Sequence, residues 1–173
     1  TSIFDDAMEE LRPEPLSPAR GRGADSYLDE GNVYFNVGQY GLAVERYTRA
    51  VEIDPNLTAG YYNRANARTR SGDYDLALID YNRALELEPN SGALHFQLGD
   101  ALVRANDRAA AVVELQKALE LDASNVTAHE RLAVQLYYAD DFAGAWREVH
   151  ACEALGGAVP PQFRDLLVQA AVE

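Results

Sequence analysis

Residues 38–55 read GQYGLAVERYTRAVEIDP and residues 72–89 read GDYDLALIDYNRALELEP, so that equivalent positions lie 34 residues apart. The same register continues into the C-terminal part of the chain. A fixed period of this length is typical of a repeat array in which each unit buries one face on its neighbours. The small and apolar rows that define the period are Ala43, Ala77, Ala111 and Ala145; Ala50, Ala84, Ala118 and Cys152; and Ile53, Leu87, Leu121 and Leu155.

Each repeat is predicted to form two helices joined by a short turn. Gly38 and Gly72 occupy this turn in the first two repeats, and Asn106 and Asp140 occupy the same position in the next two. Glycine accepts the left-handed backbone at the end of a helix most readily, and asparagine and aspartate come next. The alanine rows predict close helix packing, because a bulky side chain there would push neighbouring helices apart. The four units are placed at 24–57, 58–91, 92–125 and 126–159.

Two segments flank the predicted array. Residues 1–23 form a leader in which Phe4, Met8 and Leu11 make a short amphipathic segment, followed by a linker rich in proline and glycine. Residues 160–173 start with proline and carry apolar residues at helical spacing. This pattern predicts a helix that caps the apolar side of the last unit.

The composition argues against several classes of partner. With 28 acidic and 15 basic residues the formal net charge is -13, whereas binding to nucleic acids and to anionic membranes depends on lysine and arginine. No apolar run approaches the roughly 20 residues of a membrane-spanning helix. Cys152 is the single cysteine, so no intramolecular disulfide can form. The compartment stays open: cytoplasmic, or periplasmic if a signal segment has been removed.

The repeats resemble the tetratricopeptide repeat (TPR) family, whose pattern runs W-x2-L-G-x2-Y, then A-x3-F-x2-A, then P. The second repeat has Arg68 where tyrosine is usual, and the fourth repeat diverges most. The resemblance covers residues 24–159 and implies an all-α fold: a right-handed α-solenoid of about four helix-turn-helix units plus a C-terminal capping helix. It also implies a concave groove that binds peptides or proteins. The first repeat matches through Tyr27, Gly31, Tyr34, Ala43, Tyr47, Ala50 and Pro55.

In this family the first helix of each pair lines the groove, and the corresponding stripe of this chain contains aromatic, amide and arginine side chains. Aromatic residues and arginine are enriched at binding hot spots, and amides both donate to and accept from a peptide backbone. The arginines favour a carboxylate, which predicts a protein or peptide ligand with apolar and acidic groups. Alternatively, some aromatics fill space between units and some arginines pair with nearby acids. The candidate groove residues are Leu28, Asn32, Phe35, Tyr62, Asn63, Asn66, Arg70, Phe96, Gln97, Arg104, Arg131 and Tyr137.

One subtype of the family, the carboxylate clamp that holds the acidic C-termini of chaperones, uses Lys, Asn, Asn, Lys and Arg at five groove positions. Those positions hold Leu28, Asn32, Asn63, Ala93 and Gln97 in this chain. Both asparagines match, but all three cationic residues are missing. A clamp of this type for chaperone tails is therefore not expected.

No residue pattern indicates catalysis, and neither a cofactor nor a metal ion is expected. His95 and His129 share one repeat position, where the family prefers tryptophan, and are predicted to pack between helices rather than to bind a metal. The sequence favours a non-enzymatic adaptor or scaffold that binds a peptide segment in its groove. Two alternatives stay open: a scaffold that self-associates when its leader docks in a groove, and an envelope lipoprotein-type assembly factor.

Overall fold

The computed structural model describes residues 22–170, and this range folds into helices joined by short connections, without strands. The predicted all-α solenoid is confirmed, since helices follow one another in pairs and each pair packs on the next. The apolar segment predicted within the leader lies outside the described residues, and so do residues 171–173. The helices of the described range are α1 Ala24–Asn36, α2 Tyr40–Ile53, α3 Thr58–Ser71, α4 Tyr74–Leu87, α5 Gly92–Arg104, α6 Arg108–Leu121, α7 Val126–Tyr138, α8 Phe142–Ala154 and α9 Pro161–Ala170.

The turn inside each repeat has the backbone conformation that the sequence predicts. Gly38 and Gly72 have φ angles of 78° and 87°, and Asn106 and Asp140 have angles of 63° and 59°. All four therefore lie in the left-handed region, which confirms that the row marks the end of a first helix. In the third repeat the amide of Asp107 donates to the carbonyl of Leu102, at 2.9 Å, and this bond closes the end of α5.

The second helices of the first three repeats end at the same position of the repeat, with or without a following proline. α2 and α4 end two residues before Pro55 and Pro89, whose missing amide protons and restricted neighbours stop a helix. α6 has no such proline and still ends at the same position of the repeat. There the carboxylate of Asp122 accepts hydrogen bonds from the backbone amide and the hydroxyl of Ser124, at 3.1 and 2.6 Å. These bonds lower the pKa of Asp122 and form a local turn that stops the helix.

The core lies where the alanine rows meet large side chains. Tyr47, Tyr81 and Leu115 are at most 1% exposed, and each occupies the same position of a second helix. Gly31 shows how tightly the helices approach, because a Cβ atom on it would lie 2.4 Å from Cε1 of Tyr47. A larger residue at Gly31 would therefore separate α1 from α2. The fully buried alanines are Ala43, Ala50, Ala65, Ala67, Ala77, Ala84, Ala111, Ala128 and Ala145.

A charged cluster joins the two helices of the second repeat. Asp80 of α4 is 1% exposed and receives three hydrogen bonds. Arg64 donates Nε and Nη2 to its two carboxylate oxygens at 2.9 and 2.7 Å, and Arg68 donates Nη1 at 2.6 Å. Arg68 thus replaces the usual tyrosine of this position with a partner for a buried acid. In the first repeat the charges are reversed, with Glu30 on α1 lying 3.3 Å from Arg46 on α2.

In the third and fourth repeats a histidine makes the same connection. Nδ1 of His95 lies 2.7 Å from a carboxylate oxygen of Glu114, and Nε2 lies 3.1 Å from the carbonyl oxygen of Pro89. His129 repeats the arrangement, with Nδ1 2.6 Å from Glu148 and Nε2 3.1 Å from the carbonyl oxygen of Ala123. Both rings are more than the packing residues that the sequence predicts. Each ties a first helix to its second helix and to the preceding connection.

The last helix, α9, lies against the fourth repeat. Leu167 is fully buried there, and the ring of Phe163 lies 5.7 Å from that of Tyr137 in an edge-to-face contact. Leu166, which the sequence places on the same apolar stripe, remains 44% exposed. None of the helices between residues 22 and 170 is long and apolar enough to span a membrane.

Candidate functional site

The first helices of the repeats, α1, α3, α5 and α7, form one side of the array. α1 contacts α3, and α5 contacts α7, although a second helix intervenes in each case. Helices that touch across an intervening element lie on the side toward which the array curves. The solvent-facing side of these four helices is called the inner face below.

The inner face contains a depression of about 290 Å³ between the first three repeats. Five of the candidate groove residues line it, from α1, α3 and α5. Thr69 and Asp100 also line it and lie on the same helical stripe, whereas Tyr81 comes from α4, a second helix. The lining residues of this central depression are Phe35, Asn66, Thr69, Arg70, Tyr81, Gln97, Asp100 and Arg104.

The amides of the inner face are held by buried tyrosines. The hydroxyl of Tyr81 donates to Oδ1 of Asn66 at 2.6 Å. One repeat earlier, Oδ1 of Asn32 accepts from the hydroxyl of Tyr47 at 2.8 Å and from Nδ2 of Asn63 at 3.0 Å. Because these bonds use the amide oxygens, Asn32 and Asn66 keep their NH₂ groups for other partners. Among the described residues, Asn32 and Asn66 therefore present hydrogen-bond donors to the inner face, whereas Asn63, which donates to Asn32, keeps its own oxygen as an acceptor.

The two tyrosines that hold these amides, Tyr47 and Tyr81, have raised pKa values. Burial raises the pKa of Tyr47 and of Tyr81 to about 12, because the phenolate would lose its hydration inside the array. Both hydroxyls therefore keep their protons over the physiological range and act as donors. They fix the side-chain orientation of Asn32 and Asn66 from below the inner face.

Three arginines lie on the inner face, and two of them share one carboxylate. Nε of Arg104 and Nε of Arg131 each lie 3.0 Å from a different oxygen of Asp100. Asp100 is largely covered, with 17% of its side chain exposed, whereas the two arginine side chains are about half exposed. Arg70 is exposed and makes no ion pair with the described residues. The alternative that nearby acids pair with these arginines is thus partly right.

Four candidate residues outside the central depression serve helix packing, and Phe35, which lines the depression, packs against the same cluster as Leu28. Leu28 packs against the cluster of Ala43 and Tyr47, and Phe96 packs against the core of the last two repeats. The ring centroid of Tyr62 lies 6.4 Å from that of Tyr81, and Tyr137 is covered by Phe163 of α9. Every one of these side chains is only partly exposed. Here the space-filling alternative for the aromatics holds.

A second cavity, of about 380 Å³, lies at the C-terminal end of the inner face. Val103 of α5, Val134 of α7 and Phe163 of α9 line it, together with the connection before α9. Arg131 stands at its edge and also binds Asp100, which borders the central depression. The arginine cluster therefore separates a polar depression from this largely apolar C-terminal cavity.

Family models and curated proteins identify the repeats. Models described as tetratricopeptide repeat match residues 58–91 and 93–125, and a TPR repeat model matches residues 31–72. Small glutamine-rich tetratricopeptide repeat-containing protein beta of Rattus norvegicus is 38% identical over 71 residues, which cover 39% of this chain and 23% of that protein. The Homo sapiens protein of that name is 47% identical over 45 residues, or 26% of this chain and 15% of that protein. The chain thus spans less than a quarter of the length of these relatives.

Solved structures show the same architecture. MamA 41-end from Desulfovibrio magneticus RS-1 superposes with a TM-score of 0.73 at 21% identity, covering 77% of this chain and 75% of that chain. YrrB gives 0.69 at 23% identity, covering 89% and 75%. The first TPR of Spaghetti (RPAP3), solved with the HSP90 peptide SRMEEVD, gives 0.65 at 27% identity, covering 67% and 92%. Together with the repeat matches, these similarities show that the chain belongs to the tetratricopeptide repeat family.

Proposed function

We propose that this protein is a non-enzymatic interaction module that binds an extended peptide segment of a partner protein across the inner face. The central depression is the main support, because α1, α3 and α5 contribute an aromatic side chain, amides and arginines to one concave surface. Its NH₂ groups match the carbonyl oxygens that an extended peptide presents along its backbone. Phe35 supplies an apolar contact at the N-terminal edge of the depression.

The family supports the same proposal. TPR proteins are generally interaction modules without catalytic activity, and the Spaghetti domain, at 27% identity, is a peptide complex. The peptide of that complex is not carried over to this chain. Of the positions of the chaperone-tail clamp, Leu28 packs in the core and Ala93 has no polar group, so neither could supply the missing cations.

A peptide selection tests the proposal. A phage-displayed library of random peptides would be panned on the purified protein, and enriched peptides would be synthesised with a fluorescent label. We expect Phe35→Ala and Asn66→Ala each to weaken binding by about tenfold, or about 1.4 kcal/mol. Ile79→Ala is the matched control, because Ile79 is 63% exposed on α4, away from the depression. The proposal fails if no peptide is enriched or if Phe35→Ala and Ile79→Ala behave alike.

Self-association through the leader depends on its apolar residues. Phe4, Met8 and Leu11, which would dock in a groove, all lie outside the described residues. That alternative therefore stays a prediction, as does a role as an envelope lipoprotein-type assembly factor. Dependence of the molecular mass on protein concentration, measured by light scattering, would separate the self-associating scaffold from the adaptor.

A further inference from the structure

The cluster of Arg104, Asp100 and Arg131 has unused hydrogen-bonding capacity. Arg104 donates Nε to Asp100 at 3.0 Å, and the closest approach of Arg131 to the same carboxylate is also through Nε, at 3.0 Å. Tyr74 also interacts with the guanidinium of Arg104, and both arginine side chains are still about half exposed. A guanidinium in this state can still bind a carboxylate with its two terminal nitrogens in parallel.

The residues around this cluster also favour a negatively charged ligand. Arg70 borders the same depression as Arg104, and the NH₂ group of Asn66 adds a neutral donor. Asp100 is the one acidic residue that lines the depression, so arginines outnumber acids there, although the whole chain carries a net charge of -13. A local excess of cations in an acidic protein favours an acidic ligand at this place.

The neighbouring C-terminal cavity has the opposite character. Its volume of about 380 Å³ lies in the range of ligand pockets, and Val103, Val134 and Phe163 are among its apolar walls. Glu130 also borders this cavity and would repel a carboxylate placed inside it. The arginine cluster therefore favours an acidic group of a ligand, and the neighbouring C-terminal cavity favours an apolar group.

We propose that the peptide segment bound by this protein carries an acidic side chain or terminal carboxylate next to a large apolar side chain. The carboxylate binds Arg104 and Arg131, and the apolar side chain enters the C-terminal cavity. This inference rests on the proposed function and specifies its ligand. It assigns recognition to residues other than the five chaperone-clamp positions.

The test uses the tightest peptide from the random library and its isosteric variants, with Asp replaced by Asn or Glu by Gln, or with the C-terminus amidated. Fluorescence anisotropy gives the Kd of each peptide for the wild type and for Arg104→Gln, Arg131→Gln and Ala158→Phe. Ala158 lines the C-terminal cavity and is exposed, so a phenyl ring there fills the space without disturbing the core. Arg147→Gln removes an equal charge from an exposed position of α8 and is the matched control.

We expect the enriched peptides to share an acidic residue beside an apolar one. Arg104→Gln, Arg131→Gln and Ala158→Phe should each raise Kd about tenfold, and Arg147→Gln less than about twofold. Neutralising the peptide should raise Kd for the wild type but not for the Arg104→Gln, Arg131→Gln double variant. Circular dichroism establishes that each variant is folded. Groove-dependent binding of neutral peptides, insensitive to both arginines, overturns this inference and leaves the proposed function standing. If no peptide is enriched at all, both fail.

Discussion

Removal of the buried carboxylate of Asp80 should destabilise the array more than any loss of an exposed ion pair. The side chain of Asp80 is 2% exposed, and three charge-assisted hydrogen bonds from Arg64 and Arg68 satisfy it. In Asp80→Ala both guanidinium groups lose their anion while their side chains remain 13% and 16% exposed. Burial already lowers the pKa of Arg68 against the opposing effect of Asp80.

The expected loss of unfolding free energy in Asp80→Ala follows from the burial of Arg64 and Arg68. Truncation of one member of a buried ion pair costs about 3–5 kcal/mol, because the other charge is left without compensation. Arg64 and Arg68 can move their charged ends toward water, which places the expected loss near the lower limit, about 3 kcal/mol. For a chain of this size that corresponds to a fall in Tm of about 6–12 °C. Lys117→Ala, which breaks the exposed pair of Lys117 with Glu120, should cost less than about 0.5 kcal/mol.

Urea unfolding followed by circular dichroism would measure the difference. The third repeat suggests two of the three changes in a rescue variant, because it has Leu98 and Leu102 at the positions of Arg64 and Arg68, at 3% and 8% exposure. The triple variant Arg64→Leu, Arg68→Leu, Asp80→Leu should lie within about 1 kcal/mol of the wild type, since apolar residues often replace buried ion pairs without loss. A loss below about 1 kcal/mol in Asp80→Ala would refute the reasoning.

Three further outcomes are expected. Gly31→Ala should destabilise by about 1–3 kcal/mol in urea unfolding, because its Cβ would lie 2.4 Å from Tyr47, whereas Gly41→Ala, with open space around it, should be neutral or stabilising. Asn106→Gly should raise Tm, corresponding to a gain of up to about 1 kcal/mol, because residue 106 has a φ angle of 63°. An unchanged or lower Tm would contradict this. An ultraviolet titration should show Tyr47 and Tyr81 losing their protons near pH 12, against an ordinary value of 10.0. Since the pKa is raised in the folded state, their contribution to stability is complete below pH 10 and is lost between about pH 10 and 12.

The features that the sequence predicts correctly are those set by spacing along a single helix pair. The position of Gly72 and Asn106 in the repeat marks the left-handed turn, and the alanine rows mark where helices touch. Both depend on the backbone and on side-chain size, which a repeat of fixed length shows directly. The same register predicts which stripe of the first helices faces inward.

The exposure, pairing and orientation of the side chains on that stripe depend on tertiary contacts, which the repeat spacing does not predict. Tyr137 is partly covered because Phe163 of α9 packs against its ring, and the sequence around Tyr137 does not indicate this contact. Arg104 pairs with Asp100 at a spacing of four residues, which is readable in the sequence, but Arg131 joins the same acid from the next first helix. The orientation of the Asn66 amide is likewise set by a tertiary contact, because the hydroxyl of the buried Tyr81 donates to its oxygen.

Some long-range information was present in the sequence as a repeated spacing. His95 and Glu114 are 19 residues apart, and so are His129 and Glu148. A polar pair that recurs at one spacing in successive repeats indicates a contact between the two helices of each unit. Repeated pairs of this kind are therefore as informative as the small-residue rows.

The polar links differ between the first and second repeats, and the third and fourth repeats share one kind of link, while the apolar rows are nearly identical. Apolar rows alone would let a first helix pair with the second helix of any repeat at similar cost. The links oppose such exchange, since α1 packed on α4 would place Glu30 against Asp80, and α3 packed on α2 would place Arg64 against Arg46. Like charges in a largely buried position are strongly unfavourable, so the helix pairs of the first two repeats exclude each other's partner, whereas the equivalent His–Glu pairs of the third and fourth repeats do not discriminate. Because these links lie between the two helices of one repeat, they leave the side chains of the inner face available to a ligand.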